Sequence, residues 1–278
     1  MSVSDTTLVI MAGGLGTRFG GVKQLAEVGP AGEAILDFTI RDARSAGVER
    51  IVVIARSDID DDLRRHLLRH HGSGLDLEVV HQDAFGPARP RPWGTGHAVA
   101  AAATLLEGPA LVLNADDYYG PTGVESVAVA VAADETRAVM LGFPLGGTLP
   151  SSGLVSRGVC RLGADGRLDG LLETHGIGWS GDTVTASDPP GELDPAVPVS
   201  MNIWGLPHHA VDRLVEQWEE FHGFHTQDQT VEFLLPDALD NQLREGSLEI
   251  RVLFAAEEWI GMTNREDLEA VRAAFAAR

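Results

Sequence analysis

The feature that most constrains this chain is a short apolar run that stops in glycine. Leu8, Val9, Ile10 and Met11 are followed by Ala12 and then by Gly13, Gly14 and Gly16, with Arg18 and Lys23 close behind. Four apolar residues bounded by a turn signal suit a buried strand. The glycines clear side chains from the following turn, so its backbone N–H groups can face phosphate oxygens while the two cations neutralise charge. The plainer alternative is a tight strand-to-helix turn with surface cations.

Two other phosphate loops do not fit. A Walker loop ends in Gly-Lys-Ser/Thr, whereas Lys23 lies between Val22 and Gln24. A dinucleotide fingerprint begun at Gly14 reaches Gly16 but has Phe19 where its third glycine belongs. Lys23 adds an argument of its own, because it is the only lysine among the 21 lysine and arginine residues. An ammonium is a compact point charge and a guanidinium a planar fork, so the two are not interchangeable beside a glycine loop.

The stretch Ala12-Gly13-Gly14-Leu15-Gly16-Thr17-Arg18, a gap and Lys23 resembles the signature of the sugar-phosphate nucleotidyltransferases, the pyrophosphorylases that make nucleotide sugars. The gap before the lysine is shorter here than in many of them. The resemblance is strongest over residues 8–120 and thinner over 137–174. After residue 199 it is mainly a matter of element order.

The 278 residues suffice for one large α/β domain or for a main domain with a smaller insertion, and 44% hydrophobic residues can build a proper core. A formal charge of -20 disfavours a general nucleic-acid or anionic-membrane surface, while leaving room for a locally positive pocket. Cys160 is the single cysteine, so no intrachain disulfide or cysteine-rich metal cluster is available. A buried small hydrophobe is its expected role. No charged leader with an apolar run opens the sequence and no stretch reaches transmembrane length, so a cytoplasmic protein is expected.

Further strands are expected at Arg50–Ala55, Leu75–His81, Pro109–Asn114 and Ala138–Phe143. Helices are expected over Ala34–Ala46, from Ser57 and Asp60 to about His71, from about Gly96, and over residues 123–133. This alternation predicts an α/β fold, a mostly parallel sheet with helices on both faces. Ser57 and Asp60 read as a capping box. His66, His70 and His71 read as solvated, although a spacing of four lets the first two share a helix face. After Pro144 short strands joined by turns take over, and residues 175–198 read as a surface excursion. Val199–Leu206 returns as a strand interrupted by Asn202. Helices at His208–Phe221 and Gln229–Arg244, a strand at Leu248–Phe254 and a last helix capped by Thr263 and Glu266 complete the chain.

Gln82, after the third strand, offers a paired donor and acceptor to a base edge. Gly94, Thr95 and Gly96 open the next helix, whose N-terminus favours phosphate. Asp116 and Asp117 directly follow the fourth strand, where an open α/β sheet would place Mg²⁺ ligands, with a nucleotide's phosphates completing the shell. The resemblance implies sharper roles and a Rossmann-like sheet with acceptor-binding insertions. Ala12, Gly13, Gly14, Gly16 and Thr17 would hold the triphosphate, and Gln82, Gly94 and Thr95 the base. Arg18 would clamp the outer phosphates and Lys23 the transferring group. Asp116 would be the metal-binding Asp, with Asp117 supporting it or orienting the acceptor. Gly153 and Glu173 match positions that reach the sugar, and Asn202 would bond either a sugar hydroxyl or the backbone. Thr174 replaces a lysine that meets the sugar phosphate, which leaves Arg157 or a different mode of holding it. Gly261 stands where a second metal-binding Asp belongs, which leaves Asp117, Asn202 or water to complete the shell.

These roles imply transfer of a nucleoside monophosphate from an NTP to a sugar 1-phosphate, giving an NDP-sugar and pyrophosphate, with Mg²⁺ as cofactor. Neither nucleic acid nor membrane is an expected partner. The chain reads as a single nucleotidyltransferase domain, 1–143 binding the NTP and 144–278 supplying the acceptor site and completing elements. Three alternatives survive: a non-sugar phosphate acceptor, a non-catalytic nucleotide-sugar sensor, and a structural α/β protein. The residues leave open the base, the sugar, the direction and the oligomeric state, a homo-oligomer included.

Overall fold

The computed structural model describes residues 2–15, 22–150, 152–226, 228, 230–262, 267–276 and 278. In chain order the elements are β1 (Thr7–Met11), α1 (Ile35–Ser45), β2 (Arg50–Ala55), α2 (Asp60–His71), β3 (Asp76–His81), α3 (Thr95–Ala102), β4 (Ala110–Asn114), β5 (Asp117–Tyr118), α4 (Pro121–Ala133) and β6 (Arg137–Pro144). They continue as β7 (Val155–Leu162), β8 (Leu168–Ser180), β9 (Thr183–Ser187), β10 (Pro190–Leu193), β11 (Pro198–Leu206), α5 (His208–Phe224), α6 (Leu235–Glu245), β12 (Glu249–Phe254), β13 (Ile260–Gly261) and α7 (Leu268–Phe275).

Parallel pairing runs β3-β2-β1-β4, with Met11 opposite both Ile54 and Asn114. β11 joins β4 antiparallel, and β6 joins β11 and carries β12 parallel to itself. The other end of β11 pairs with β7, from which β8, β9 and β10 extend the sheet as antiparallel strands. The apolar runs are continuous because both faces of the sheet are covered. Leu8 and Ile10 of β1 face one core with Leu36, Leu63 and Val127 from α1, α2 and α4. Val9 and Met11 face the other core with Val99, Leu214 and Leu239 from α3, α5 and α6. A third group, Phe38, Tyr118, Met262 and Phe275, docks α7 against α1 and β5. Among the described residues, no helix is long and apolar enough to cross a membrane.

The mixed α/β sheet flanked by helices agrees with the sequence reading, and four local expectations are corrected. Residues 175–198 are the end of β8 with β9 and β10, so the excursion is ordered as a ribbon on the sheet. The expected helix from 229 begins at Leu235, with Pro236 in its first turn, because residues 231–234 run extended with their backbone bonded to the start of α3. Ser57 does not box with Asp60. Its N–H and Oγ donate to Asp83 at 2.9 and 2.5 Å, while Asp60 accepts from Arg64. His66 is buried against Asp37 rather than solvated. Cys160 is buried as expected, and burial pushes its thiol up to about 12. The Thr263 and Glu266 cap lies outside the described residues.

Candidate active site

Because β1 and β4 end in register, Ala12–Leu15 and Ala115–Asp117 leave the sheet side by side. The carbonyls of the glycine turn are tied down by three donors. Gln82 Nε2 donates to Gly13 O at 3.2 Å, Gln24 Nε2 to Gly14 O at 2.8 Å, and Arg56 Nη1 to Gly14 O at 3.3 Å. Among the described residues, no partner binds the N–H of Gly13 or Gly14, which leaves these amides for an incoming anion. A Cβ at Gly13 would fall 2.5 Å from the Gln82 amide, so the absence of a side chain is what admits the glutamine. Gly16, Thr17 and Arg18 lie outside the described residues.

Gly94 takes φ +113° at the start of α3, and a Cβ there would meet Phe233 O at 2.5 Å. The segment after residue 230 is strapped to this helix start. Gly96 N–H donates to Phe233 O and Leu235 N–H to Thr95 Oγ1, both at 2.9 Å. The result is a cavity of about 450 Å³ whose wall includes Gly13, Gly14, Gln24, Gln82, Gly94 and Glu232. Ala12 is not in that wall; it is buried, and its N–H is spent on Ile54 O.

A second cavity of about 350 Å³ opens beside the first. Thr95, Asn114, Asp116 and Leu234 line both, so the two spaces meet at the carboxyl end of β4. At this junction Lys23 Nζ lies 2.5 Å from Asp116 Oδ2. Lys23, Asp117, Arg157, Glu173 and Asn202 line the second cavity, whereas Gly153 and Thr174 do not. Thr174 is buried and turns its hydroxyl to Leu172 O. Its partner across the β7–β8 ladder is Arg157.

A chain of amides braces the junction from below. Trp204 Nε1 donates to Asn202 Oδ1 at 3.0 Å, Asn202 Nδ2 to Asn114 Oδ1 at 2.8 Å, and Asn114 Nδ2 to Asp117 Oδ2 at 2.7 Å. Asn202 holds φ 65° at an irregularity in β11, which aims its amide along this chain. Its oxygen is therefore committed to Trp204 rather than open to a cation. Burial, then the neighbouring Asp116 carboxylate, pushes Asp117 up to about 7 despite Asn114, Lys23 and Arg157. Burial lowers Arg157 below its ordinary value, against the pull of Asp117 and Glu173.

Gly261 lies opposite Asp117 in the short β13–β5 pair. A Cβ there would fall 2.6 Å from Asp117 Oδ1 and collide with the Trp259 ring. The room a second aspartate would need is thus filled by Asp117 and Trp259. Glu257 accepts instead from Thr122 and Gly123 N–H at the start of α4. Asp116 and Asp117 present oxygen donors, and a divalent cation would relieve their mutual repulsion, so they fit a hard cation such as Mg²⁺.

Gln24, Asn114 and the 231–235 strap shape the site with little signal in the sequence. Gln24 carried a faint signal, since it follows the single lysine, and Asn114 another, at the end of a buried strand. The strap carried none, because its partners lie more than 130 residues away in sequence.

Residues 8–236 match the model of the MobA-like NTP transferase domain. A stretch of 170 residues, 60% of the chain, is 32% identical to the bifunctional protein GlmU of Hyphomonas neptunium, a match spanning 33% of that protein's length. Among solved structures, the fold resembles a glucose-1-phosphate thymidylyltransferase from Bacillus anthracis in complex with sucrose, with a TM-score of 0.70, 13% identity, and coverage of 97% of this chain and 95% of that one. It also resembles the CTP:phosphocholine cytidylyltransferase of Streptococcus pneumoniae, with a TM-score of 0.65, 11% identity, and coverage of 97% and 98%.

Proposed function

This chain belongs to the MobA-like NTP transferase family, and from that premise we propose that it transfers a nucleoside monophosphate from an NTP to a sugar 1-phosphate, releasing pyrophosphate. One observation carries the reading: two cavities share a wall at Asp116, with the single lysine of the chain at that wall. A transfer between two bound molecules needs such a meeting point.

The NTP occupies the first cavity in this reading, its phosphates on the free amides of Gly13 and Gly14 and its base toward Gln82, Gly94 and Thr95. The acceptor occupies the second, beside Glu173 and Asn202. An acceptor phosphate oxygen attacks the α-phosphorus in line, a P–O bond to the acceptor forms, and the bond to the β-phosphate oxygen breaks. No protein nucleophile is required, because the attacking oxygen is already anionic. Lys23 leaves Asp116 for the transferring phosphate and stabilises the charge that develops there. Asp116, with Asp117 as a second oxygen donor, would hold a divalent cation that neutralises and polarises the phosphates.

Arg157 takes the place of the cation missing at Thr174. Among the described residues three of its five N–H donors are used, by Thr148 Oγ1, Thr148 O and Ser156 O, which leaves two for an acceptor phosphate. A phosphorylated alcohol is the second reading. Trp259 lines the acceptor cavity with Asp117 and Glu173, and its ring, which already carries the Arg157 guanidinium 5.6 Å from the centroid, would suit a cationic head group.

Pyrophosphate release measured across NTPs, sugar 1-phosphates and phosphocholine, with and without Mg²⁺, tests both readings. Signal that requires one NTP, one sugar 1-phosphate and metal is expected. Signal with phosphocholine alone would replace the sugar, and tight NTP binding without turnover in any mixture would point to a sensor.

A further inference from the structure

A second group of ligand-type side chains lies between α1 and α2, where none of the residues lining the adjoining cavity lines either active-site cavity. Asp37 is fully buried in the first turn of α1 and accepts from Ala34 N–H at 2.7 Å. His66 and His70 stand one turn apart on α2, so they share a face. His66 Nε2 lies 2.6 Å from Asp37 Oδ2, and His71 Nε2 lies 2.7 Å from Asp37 Oδ1. The rings of His66 and His70 are 4.5 Å apart between centroids.

A purely structural account makes Asp37 a helix-capping carboxylate held by two histidines. That account explains His66 and His71 but leaves His70 over. Among the described residues its Nε2 is buried with no hydrogen-bond partner, a costly arrangement for a polar atom. His70 also brings a ring nitrogen to a compact donor set: one ligand atom each from Asp37, His66 and His70 all lie within 4.8 Å of one another. An ion about 2 Å from each ligand in tetrahedral geometry would keep them roughly 3.3 Å apart, so His66 and Asp37 would open from 2.6 Å and exchange their hydrogen bond for the ion, while any wider pair closes from at most 4.8 Å.

We propose that Asp37, His66 and His70 bind a divalent transition-metal ion of the Zn²⁺ class, bridging α1 to α2. Two imidazole nitrogens and one carboxylate oxygen suit a borderline ion better than Mg²⁺. His71 holds the other carboxylate oxygen from outside, as the hydrogen-bonded neighbours of metal ligands do. The cavity of about 790 Å³ lined by Asp37, His70, His71 and Glu33 gives an entry path and room for a water as fourth ligand. The ion's role here is to tie two helices together rather than to take part in transfer.

The test is titration of the chelator-treated full chain with Zn²⁺ and Co²⁺, made in an Asp116→Asn background so that metal at the transfer site does not contribute. One Zn²⁺ per chain is expected, with the visible absorption of tetrahedral Co²⁺ and a rise in Tm on adding Zn²⁺. His70→Ala removes a side chain without a hydrogen bond, so circular dichroism should be unchanged. That variant should lose the Co²⁺ spectrum and bind Zn²⁺ at least about tenfold more weakly. His70→Gln, which keeps the bulk, should behave the same way. Equal affinity and an equal Tm shift in the parent and both His70 variants, or no Zn²⁺ bound by the parent, would overturn the proposal.

Discussion

The two cavities that meet at Asp116 are built from different materials. The first sets glycines and amides, Gly13, Gly14, Gln24, Gln82, Gly94 and Asn114, among apolar side chains, with Arg91 and Glu232 as its own charged residues. The second gathers Lys23 and Arg157 against Asp116, Asp117 and Glu173 in a similar space. Backbone donors fixed to a parallel sheet suit the part of a substrate that every nucleotide shares. Arg157 and Glu173, on the β7–β8 hairpin, can be retuned by single substitutions, so acceptor choice is expected to reside there. Their common edge is where both kinds of group are needed together.

That contrast can be broken most sharply at the edge. Lys23→Ala should lower kcat by about 10² to 10³-fold, the scale for losing one donor aimed at developing charge, while NTP binding and Tm change little. Steady-state kinetics with both substrates saturating checks it, and Lys23→Arg should rescue poorly because the fork does not reproduce a point charge. A collapse of Tm instead would make Lys23 a structural residue.

Within the second cavity, Arg157→Ala should raise KM for the acceptor by roughly 10 to 100-fold, the worth of a charge-assisted contact, and leave KM for the NTP unchanged. Equal effects on both substrates would erase the division between the cavities. Gly261→Ala should cost about 1–3 kcal/mol in chemical denaturation, because its methyl group runs into Trp259 and Asp117. An unchanged midpoint would show that the acceptor wall yields easily.

The smallest expected effect belongs to the nucleotide side. His97, in the first turn of α3, donates from Nε2 to Phe85 O, and burial holds it at about 4, well below its ordinary 6.5. The unfolded chain therefore binds a proton that the folded chain refuses between those values. Stability attributable to His97 is complete well above pH 6.5 and falls as pH drops toward 4, by about 1.4 kcal/mol near pH 5.5. Denaturation of wild type and His97→Gln across this range should show the variant losing less stability on acidification; parallel curves would contradict it.

The same division explains what could be read from the chain beforehand. Leu8–Met11 into Gly13 and Gly14, Pro109–Asn114 into Asp116, and the lone Lys23 are local signals, because a parallel strand delivers its function at its own carboxyl end. The acceptor side depends on long-range register. Nothing near Thr174 in sequence reveals that Arg157 stands across from it, and nothing near Gly261 reveals that Asp117 fills the space beside it. Gly153 shows the converse failure. It matches a pattern by position, yet it lies outside the cavity wall because the hairpin carries Ser156 and Arg157 there instead. The 175–198 ribbon was illegible for a related reason, since glycine and proline mark turns without saying that strands lie between them.

The proposed transfer runs directly from the first cavity to the second across Asp116. It is tested most directly by exchange of labelled pyrophosphate into the NTP, measured with no acceptor present. Direct attack by an acceptor oxygen predicts no exchange until the nucleotidylated product is supplied together with metal. Exchange with NTP alone would mean that the protein itself takes the nucleotidyl group, and the account of two substrates meeting at one wall would be wrong.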